Sequence, residues 1–361
     1  NMPFNKQRTA VMLAGRVTYG GLIAPYIIDR IKNTRLHFYD INGKITHVFN
    51  KNNRLYLSGY NGYDKIGIAK MMSIGYGNTT ATVRWNHIFD DKLTSNLSFH
   101  LTRYRYDVDV TMKPYDFSIM AGINDYTGKY DFTWLMNDKI TARFGISSTF
   151  HRYSQGELHD RTGVVAEFMN VDDNAKVYRK AIESALYYGH DHNITPFFSI
   201  RYGLRLSMYQ NIGNETLYLF DENYVNYDSI VYDKGVIFNT EVNLEPRLAM
   251  MYRLTPVSSV KASYSRTVQY AQIANNATGG LPFDVWFPSS PNIKPQKCDQ
   301  FAVGYFHNFR GNDIETSGEI FYKNLTDVID FVDDAVFYGN LLIDGEVRVG
   351  KGRSYGAEFI I

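Results

Sequence analysis

The stretch LEPRLAMMYRLTPVSSVKASYSRTVQY, residues 244–270, alternates apolar and polar side chains, reverses once, and alternates again. Its outgoing half sets Leu244, Pro246, Leu248, Met250, Tyr252 and Leu254 against Glu245, Arg247, Ala249, Met251 and Arg253. After the turn at Thr255-Pro256, Val260, Ala262, Tyr264, Val268 and Tyr270 oppose Lys261, Ser263, Ser265, Thr267 and Gln269. A period of two puts successive side chains on opposite faces of a strand. Ile140 to Phe150 and Phe198 to Met208 repeat the pattern, with Arg143, Arg201 and Arg205 on the polar side. A β-sandwich would alternate as well, but runs of roughly 12 to 16 residues exceed the ~5–6 usual in globular sheets. They also exceed the ~9–11 that cross a bilayer, so the strands are expected to project beyond it. Arg266 interrupts the apolar face of its strand, which a position near the headgroups would tolerate.

The connections sort by length. Short polar reversals fall at Asn50 to Arg54, Asp90 to Lys92, Asn137 to Lys139, His190 to Asn193, Thr255-Pro256 and Arg310 to Asp313, and longer segments separate them. Short turns on one side and long loops on the other are the pattern of a membrane barrel. Strands are predicted over 7–18, 34–49, 54–64, 78–90, 93–109, 115–136, 139–154, 177–190, 195–209, 243–254, 257–270, 297–309, 312–330 and 346–361. Of the long-side connections only 110–114 is short, and Gly128 is read as a bulge or a separate hairpin. The fold class is therefore all-β: a transmembrane antiparallel up-and-down β-barrel, one domain over 1–361.

Composition agrees. The chain has 361 residues, 15% of them aromatic, with 29 Tyr and 23 Phe against 3 Trp. Rings with polar tips suit the girdles at both membrane interfaces. No stretch approaches the ~18 apolar residues of a spanning helix. With 38 basic and 37 acidic residues interspersed, there is no electrostatic footprint for nucleic acid. Cys298 is alone, so no intrachain disulfide forms. The chain starts at Asn1 without a signal peptide and stops inside a strand, and is expected to be an internal piece of a longer protein.

Catalytic motifs are absent: no nucleophile elbow, no phosphate loop, no paired-cysteine zinc site. Gly350, Gly352 and Gly356 have the wrong spacing for a dinucleotide fingerprint, and no helix follows. His190, Asp191 and His192 offer a metal only what a solvated turn offers, and Asp330, Asp333 and Asp334 read as an acidic loop tip. No cofactor, metal or catalytic residue is assigned. Two loops carry more. Residues 210–242 interleave acids, Glu215 among them, with Tyr218, Tyr224, Tyr227 and Tyr232. They form either a ligand-sensing hairpin or a continuation of the strands above the membrane. Residues 281–296 set Phe283, Trp286 and Phe287 among four prolines. These rings wall a binding site or pack against the barrel mouth.

Asn292-Ile293-Lys294-Pro295-Gln296-Lys297 running into Asp299 to Tyr305 resembles a stretch of the TonB-dependent outer-membrane receptors, with Gln296 where that family usually has glutamate. Glu319 to Leu325, with Tyr322-Lys323-Asn324, is similar to another of its strands. So are Gly350 to Glu358 and Val260 to Arg266. The resemblance implies a barrel of roughly 22 strands, of which about 14 are present here, without plug or closing strands. It implies active uptake of a scarce ligand (siderophore, vitamin, glycan or peptide) at the bacterial outer membrane. Implied partners are the TonB complex, acting through a plug, outer-membrane lipid, and a surface lipoprotein. Lumenal Arg143, Arg201, Arg205, Glu245, Arg247 and Lys261 are the plug-facing candidates. Tyr218, Tyr224, Tyr227, Phe283, Trp286 and Phe287 are the extracellular ligand-loop candidates. A passive porin without TonB coupling and a surface glycan-binding or adhesion β-protein are the alternatives, and an enzyme is not expected.

Overall fold

A computed structural model describes residues 2–4, 8–18, 34–68, 71–169, 178–275, 284–333, 335–336 and 339–361. The first strands are β1 (Met2–Phe4), β2 (Thr9–Val17), β3 (Arg35–Asn50), β4 (Asn53–Ile68), β5 (Met72–Ile88), β6 (Leu93–Met112), β7 (Tyr115–Asn137) and β8 (Ile140–Asp160). After the short helix α1 (Val164–Met169) come β9 (Tyr178–Asn193), β10 (Phe198–Ile212), β11 (Glu215–Phe220), β12 (Asn226–Tyr232), β13 (Ile237–Thr255) and β14 (Ser258–Gln269). The last are β15 (Ala271–Asn275), β16 (Asp284–Pro288), β17 (Gln296–Phe309), β18 (Ile314–Phe331) and β19 (Val347–Ile360). A 15-stranded antiparallel sheet runs β1 to β10, then β13, β14, β17, β18 and β19, so every wall strand pairs with its neighbour in the chain. β11–β12 and β15–β16 are separate hairpins that leave the wall and return to it. This is an all-β barrel wall with β1 and β19 as its edges. Among the described residues no helix is long and apolar enough to cross a membrane.

Side chains of the short turns close them. Asp90 Oδ1 accepts from the backbone N–H groups of Lys92 (2.7 Å) and Leu93 (2.8 Å). Those two bonds hold the Asp90 carboxyl below its ordinary range. Asn137 does the same for Lys139 and Ile140. The fourth short turn is not where the polar residues suggested. β9 continues to Asn193, and the reversal falls at 194–197, where Thr195 Oγ1 accepts from Phe197 and Phe198 N–H. His190, Asp191 and His192 keep the strand alternation, because Asp191 has lumenal arginines to meet. Gly128 is likewise neither bulge nor hairpin: β7 runs through it, and its register with β8 shifts instead between Leu135 and Asn137 and between Met120 and Gly122. There a Cβ on Gly122 would sit 2.3 Å from the Tyr104 carbonyl oxygen, a close approach only glycine allows.

β6 and β7 each carry two zones. On lower β6, Leu97, Phe99 and Leu101 point outward, the last two more than half exposed, while Ser98, His100 and Thr102 face the lumen. Above Thr102 the pattern inverts. Arg103, Arg105, Asp107 and Asp109 then point outward, and Tyr106 and Val108, each 1% exposed, point in. β7 inverts at the same height: Tyr126, Tyr130 and Trp134 meet lipid below, whereas Ile119, Ala121 and Ile123 are buried inside above. From Leu93 to Leu101 the apolar outer face has the length that crosses the hydrocarbon, ~9–11 residues. The inversion marks where the strand leaves the bilayer. Above that line the inner face is apolar rather than polar. The buried core (Ile74, Tyr106, Val108, Ile119, Leu158, Phe287, Ile293, Ile343) lies inside the barrel's outer end.

Ile146, 56% exposed on the outer face of β8, tests the assignment of faces. Ile146→Arg is expected to cost ~2–4 kcal/mol in lipid vesicles, whereas Ser147→Arg, one position on and facing the lumen, costs under about 1 kcal/mol. Equal shifts of the urea midpoint would contradict the facing.

Candidate functional site

Tyr270 ends its strand turned inward, against the outward placement its parity suggested. It is 2% exposed, and its hydroxyl meets Ser207 Oγ at 2.9 Å and Asn243 Nδ2 at 3.1 Å. The chain follows it into the lumen as the β15–β16 hairpin, which packs through β16 on β7 and β8 and through β15 on β18. The hairpin thus bridges opposite parts of the wall as a roof. Phe287 is fully buried, edge-on to Phe331 at 5.6 Å. Trp286 lies edge-on to Tyr104 at 6.4 Å. Gln155 Nε2 donates to the Trp286 carbonyl (3.0 Å), and Asn211 Nδ2 to that of Ser289 (2.8 Å). Gln155 Oε1 and Trp286 Nε1 are buried with no hydrogen-bond partner among the described residues. Of the three ring candidates in this loop, Phe287 is core, Trp286 is half-buried in the roof, and Phe283 lies outside the described residues.

Above the roof a buried ion cluster ties the outer loops to the wall. Arg179, at the outer end of β9, donates Nη1–H to Asp344 Oδ1 at 2.8 Å and places Nε 3.3 Å from Glu215 Oε1. All three side chains are at most 6% exposed. Asn292 Nδ2 reaches Asp344 Oδ2 and the Tyr218 carbonyl, each at 3.0 Å. The Arg179 guanidinium therefore joins the β11–β12 hairpin to the 3₁₀ turn at 343–346, and Asn292 ties the loop after the roof to both. Burial pushes the Glu215 carboxyl up, Arg179 pulls it down and Asp344 raises it again, leaving it at about 7. Tyr224 has a left-handed φ of 62° and lies under the Arg348 guanidinium, 3.7 Å from its ring centre. Tyr218 is half-buried on β11, and Tyr227, 67% exposed, is the most open of the three tyrosine candidates.

Below the roof the lumenal charges form chains. Arg143 and Arg201 both pair with Asp191. Arg205 bridges Glu183 (3.4 Å) and Glu245 (3.3 Å), and Glu245 also faces Arg247 at 3.8 Å. Lys261 stands apart, its ammonium 3.9 Å from the Phe306 ring centre. All six lumenal candidates therefore line the inner wall, but five are already partnered. His151 was missed by sequence reading: its Nδ1 is 2.8 Å from Asp125 Oδ1, and its ring lies near Tyr153 and Tyr209. Its lumenal parity was the available signal. Outside, Arg266 grips Asp299 with two bonds, Nε–Oδ1 at 2.8 Å and Nη2–Oδ2 at 2.9 Å, which explains how that face tolerates it. No metal-ligating cluster occurs among the described residues; His190 and His192 face away from Asp191. Asp334 lies outside the described residues, and Asp330 and Asp333 stand at the end of β18 and just beyond it.

Residues 16–361 match the family described as TonB dependent receptor-like, beta-barrel. No curated protein matches at a significant level. Among solved structures the chain is similar to the FpvAI–pyocin S2 complex, with TM-score 0.67, 11% identity, and 99% of this chain covering 51% of that one. It is similar to the copper transporter OprC (TM-score 0.64, 11% identity, 91% of this chain and 51% of that one). It is also similar to BauA, the ferric preacinetobactin receptor of Acinetobacter baumannii (TM-score 0.61, 12% identity, 99% and 55%). The chain spans about half the length of each.

Proposed function

The chain belongs to the TonB-dependent receptor-like β-barrel family, and from that premise we propose that it forms the barrel portion of an active importer. Its place is the bacterial outer membrane. The roofed lumen is the observation that carries the reading. A porin passes solutes by keeping an aqueous path open, whereas here an apolar hairpin crosses the outer end of the lumen and buries Phe287 there. Entry past such a roof needs loops that move and an energy source that resets them. The barrel's part is to hold a fixed wall. Asp191, Glu183 and Glu245 keep Arg143, Arg201, Arg205 and Arg247 extended along the lumen, where they present guanidinium donors to a polar plug. Domain 1–361 acts as one barrel unit in this account. Tyr227, 67% exposed, is the group offered to a ligand, a ring with a hydrogen-bonding hydroxyl.

The full-length protein in its own cells decides between import and passive passage. Uptake of the ligand should fall to background when TonB is deleted or the proton gradient is collapsed. Uptake that continues unchanged under both treatments would assign the barrel to the passive class.

A further inference from the structure

β11 and β12 form a sheet of only two strands, and among the described residues no third strand lies beside β12. β11 is the anchored member. Glu215 is held by the buried Arg179, Leu217 is 5% exposed, and the Tyr218 carbonyl accepts from Asn292 Nδ2 at 3.0 Å. That last bond fixes which way the ladder faces. In an antiparallel pair, the backbone groups of two directly opposed residues point either toward each other or both away. Tyr218 turns its carbonyl away to Asn292, and its opposite number is Ser229. The N–H and C=O of Ser229 therefore point to the free edge of β12, and those of Val231, two positions on, do the same. The Ser229 N–H agrees: it takes the carboxyl of its own neighbour, Asp228 Oδ1, at 2.7 Å.

Proteins guard such edges with lysine, proline or a bulge across the edge. β12 reads Asn226-Tyr227-Asp228-Ser229-Ile230-Val231-Tyr232 and has neither lysine nor proline. Its register shift lies at the tip, between Leu219 and Phe220 of the partner strand. Val231 is 73% exposed, and Tyr227 and Ile230 are exposed too. The charge nearby has one sign. Of the acids in the hairpin, Glu215 belongs to the latch, and Asp221 closes the tip by accepting from the N–H groups of Asn223 and Val225. Glu222, Asp228 and Asp233 remain, all exposed, and they enter no ion pair among the described residues. Lys234 is the single base between 215 and 235.

We propose that the free edge of β12 takes up an extended basic peptide segment as a third strand. The segment's backbone pairs with Ser229 and Val231. Its carbonyl replaces the Asp228 carboxyl at the Ser229 N–H, and the carboxyl so released meets a lysine or arginine of the segment. Glu222 and Asp233 offer the same at the two ends. Tyr227 and Val231 share one face of the strand and Asp228 the other, so the segment that fits alternates apolar and basic side chains. Backbone pairing supplies the affinity of such an added strand, and the alternate side chains supply its selectivity. The edge lies on the outer loops and not in the lumen, so the inference stands apart from how import is driven.

The probe is a fluorescent six-residue peptide alternating lysine and valine, titrated onto the full-length protein in neutral phosphatidylcholine bilayers. It should bind saturably, and the same peptide with glutamate for lysine should not. Bound peptide should slow amide exchange at Ser229 and Val231 about ten-fold or more, the scale of a gained backbone pair, with less change at Asp228 and Ile230. V231P removes an N–H that the hairpin itself does not use, and should weaken binding about ten-fold while Leu217 and Leu219 stay protected. Should V231P open the hairpin, D228K gives the second reading: it should weaken the lysine peptide and admit the glutamate one. Absence of saturable binding would overturn the proposal, as would equal binding of both peptides. Binding that leaves exchange at Ser229 and Val231 unchanged would assign the contact to charge alone and overturn it as well.

Discussion

Arg179→Ala is expected to release the outer loops from the wall. The guanidinium is buried between Glu215 and Asp344, and its loss leaves two carboxylates in a dry site without a cation. Removing one partner of a buried ion pair costs ~3–5 kcal/mol, enough to detach hairpins that touch the wall over a small area. Amide exchange should quicken over β11, β12 and residues 340–346, while β6 and β7 remain protected. Arg179→Met combined with Glu215→Gln and Asp344→Asn removes the charges together and should recover most of that protection. The latch also responds to pH. The Glu215 carboxyl is raised to about 7, so the latched form binds a proton more readily than the released form does. Its contribution is full below the ordinary carboxylate range and is lost as pH rises through about 7. Protection in the β11–β12 hairpin, taken relative to the intrinsic exchange rate at each pH, should therefore fall from acid to neutral pH, and Glu215→Gln should flatten that dependence. Unchanged exchange in Arg179→Ala would show that the ion cluster holds nothing.

Phe287→Ala is the second large effect. The ring is fully buried between the roof and Phe331, and deleting a buried phenylalanine costs ~3–5 kcal/mol. The roof's other anchors are smaller, Ala274 and Val285 in the same buried cluster and the bonds from Gln155 and Asn211. Its loosening should appear as faster exchange at residues 284–290 with little change in the wall. Ile273, on the same hairpin but 43% exposed, is the control, and Ile273→Ala should move exchange by far less. Equal effects at the two positions would mean that the hairpin is not held by its buried face.

The wall was legible because a membrane barrel writes its facing into a period of two. Leu244 to Leu254 and Ile140 to Phe150 read correctly, as did five of the six short turns. The sixth failed for a physical reason: His190, Asp191 and His192 are polar enough for a turn, yet Asp191 belongs to the lumen and the histidines to the outer face. The outer zone needs a second signal, because the alternation of the spanning stretch does not carry through it. Residues 97–110 of β6 hold the contrary signal, Leu97, Phe99 and Leu101 on one parity and then Tyr104, Tyr106, Val108 and Val110 on the other. A strand leaving lipid exchanges the face it must bury. The latch was not legible at all, since Arg179 and Asp344 are 165 positions apart and no local pattern pairs them. Glu215 was noticed only as an acid in a loop.

A labelling scan along β6 tests the two-zone wall most directly. Single spin labels at residues 97 to 109 of the full-length protein in lipid bilayers are compared for access to oxygen, which favours lipid, and to a water-soluble nickel complex. The account predicts oxygen access at 97, 99 and 101, a switch to nickel access at 103, 105, 107 and 109, and access to neither at 106 and 108. Oxygen access continuing on the odd positions through 109, with nickel access on the even ones, would contradict it.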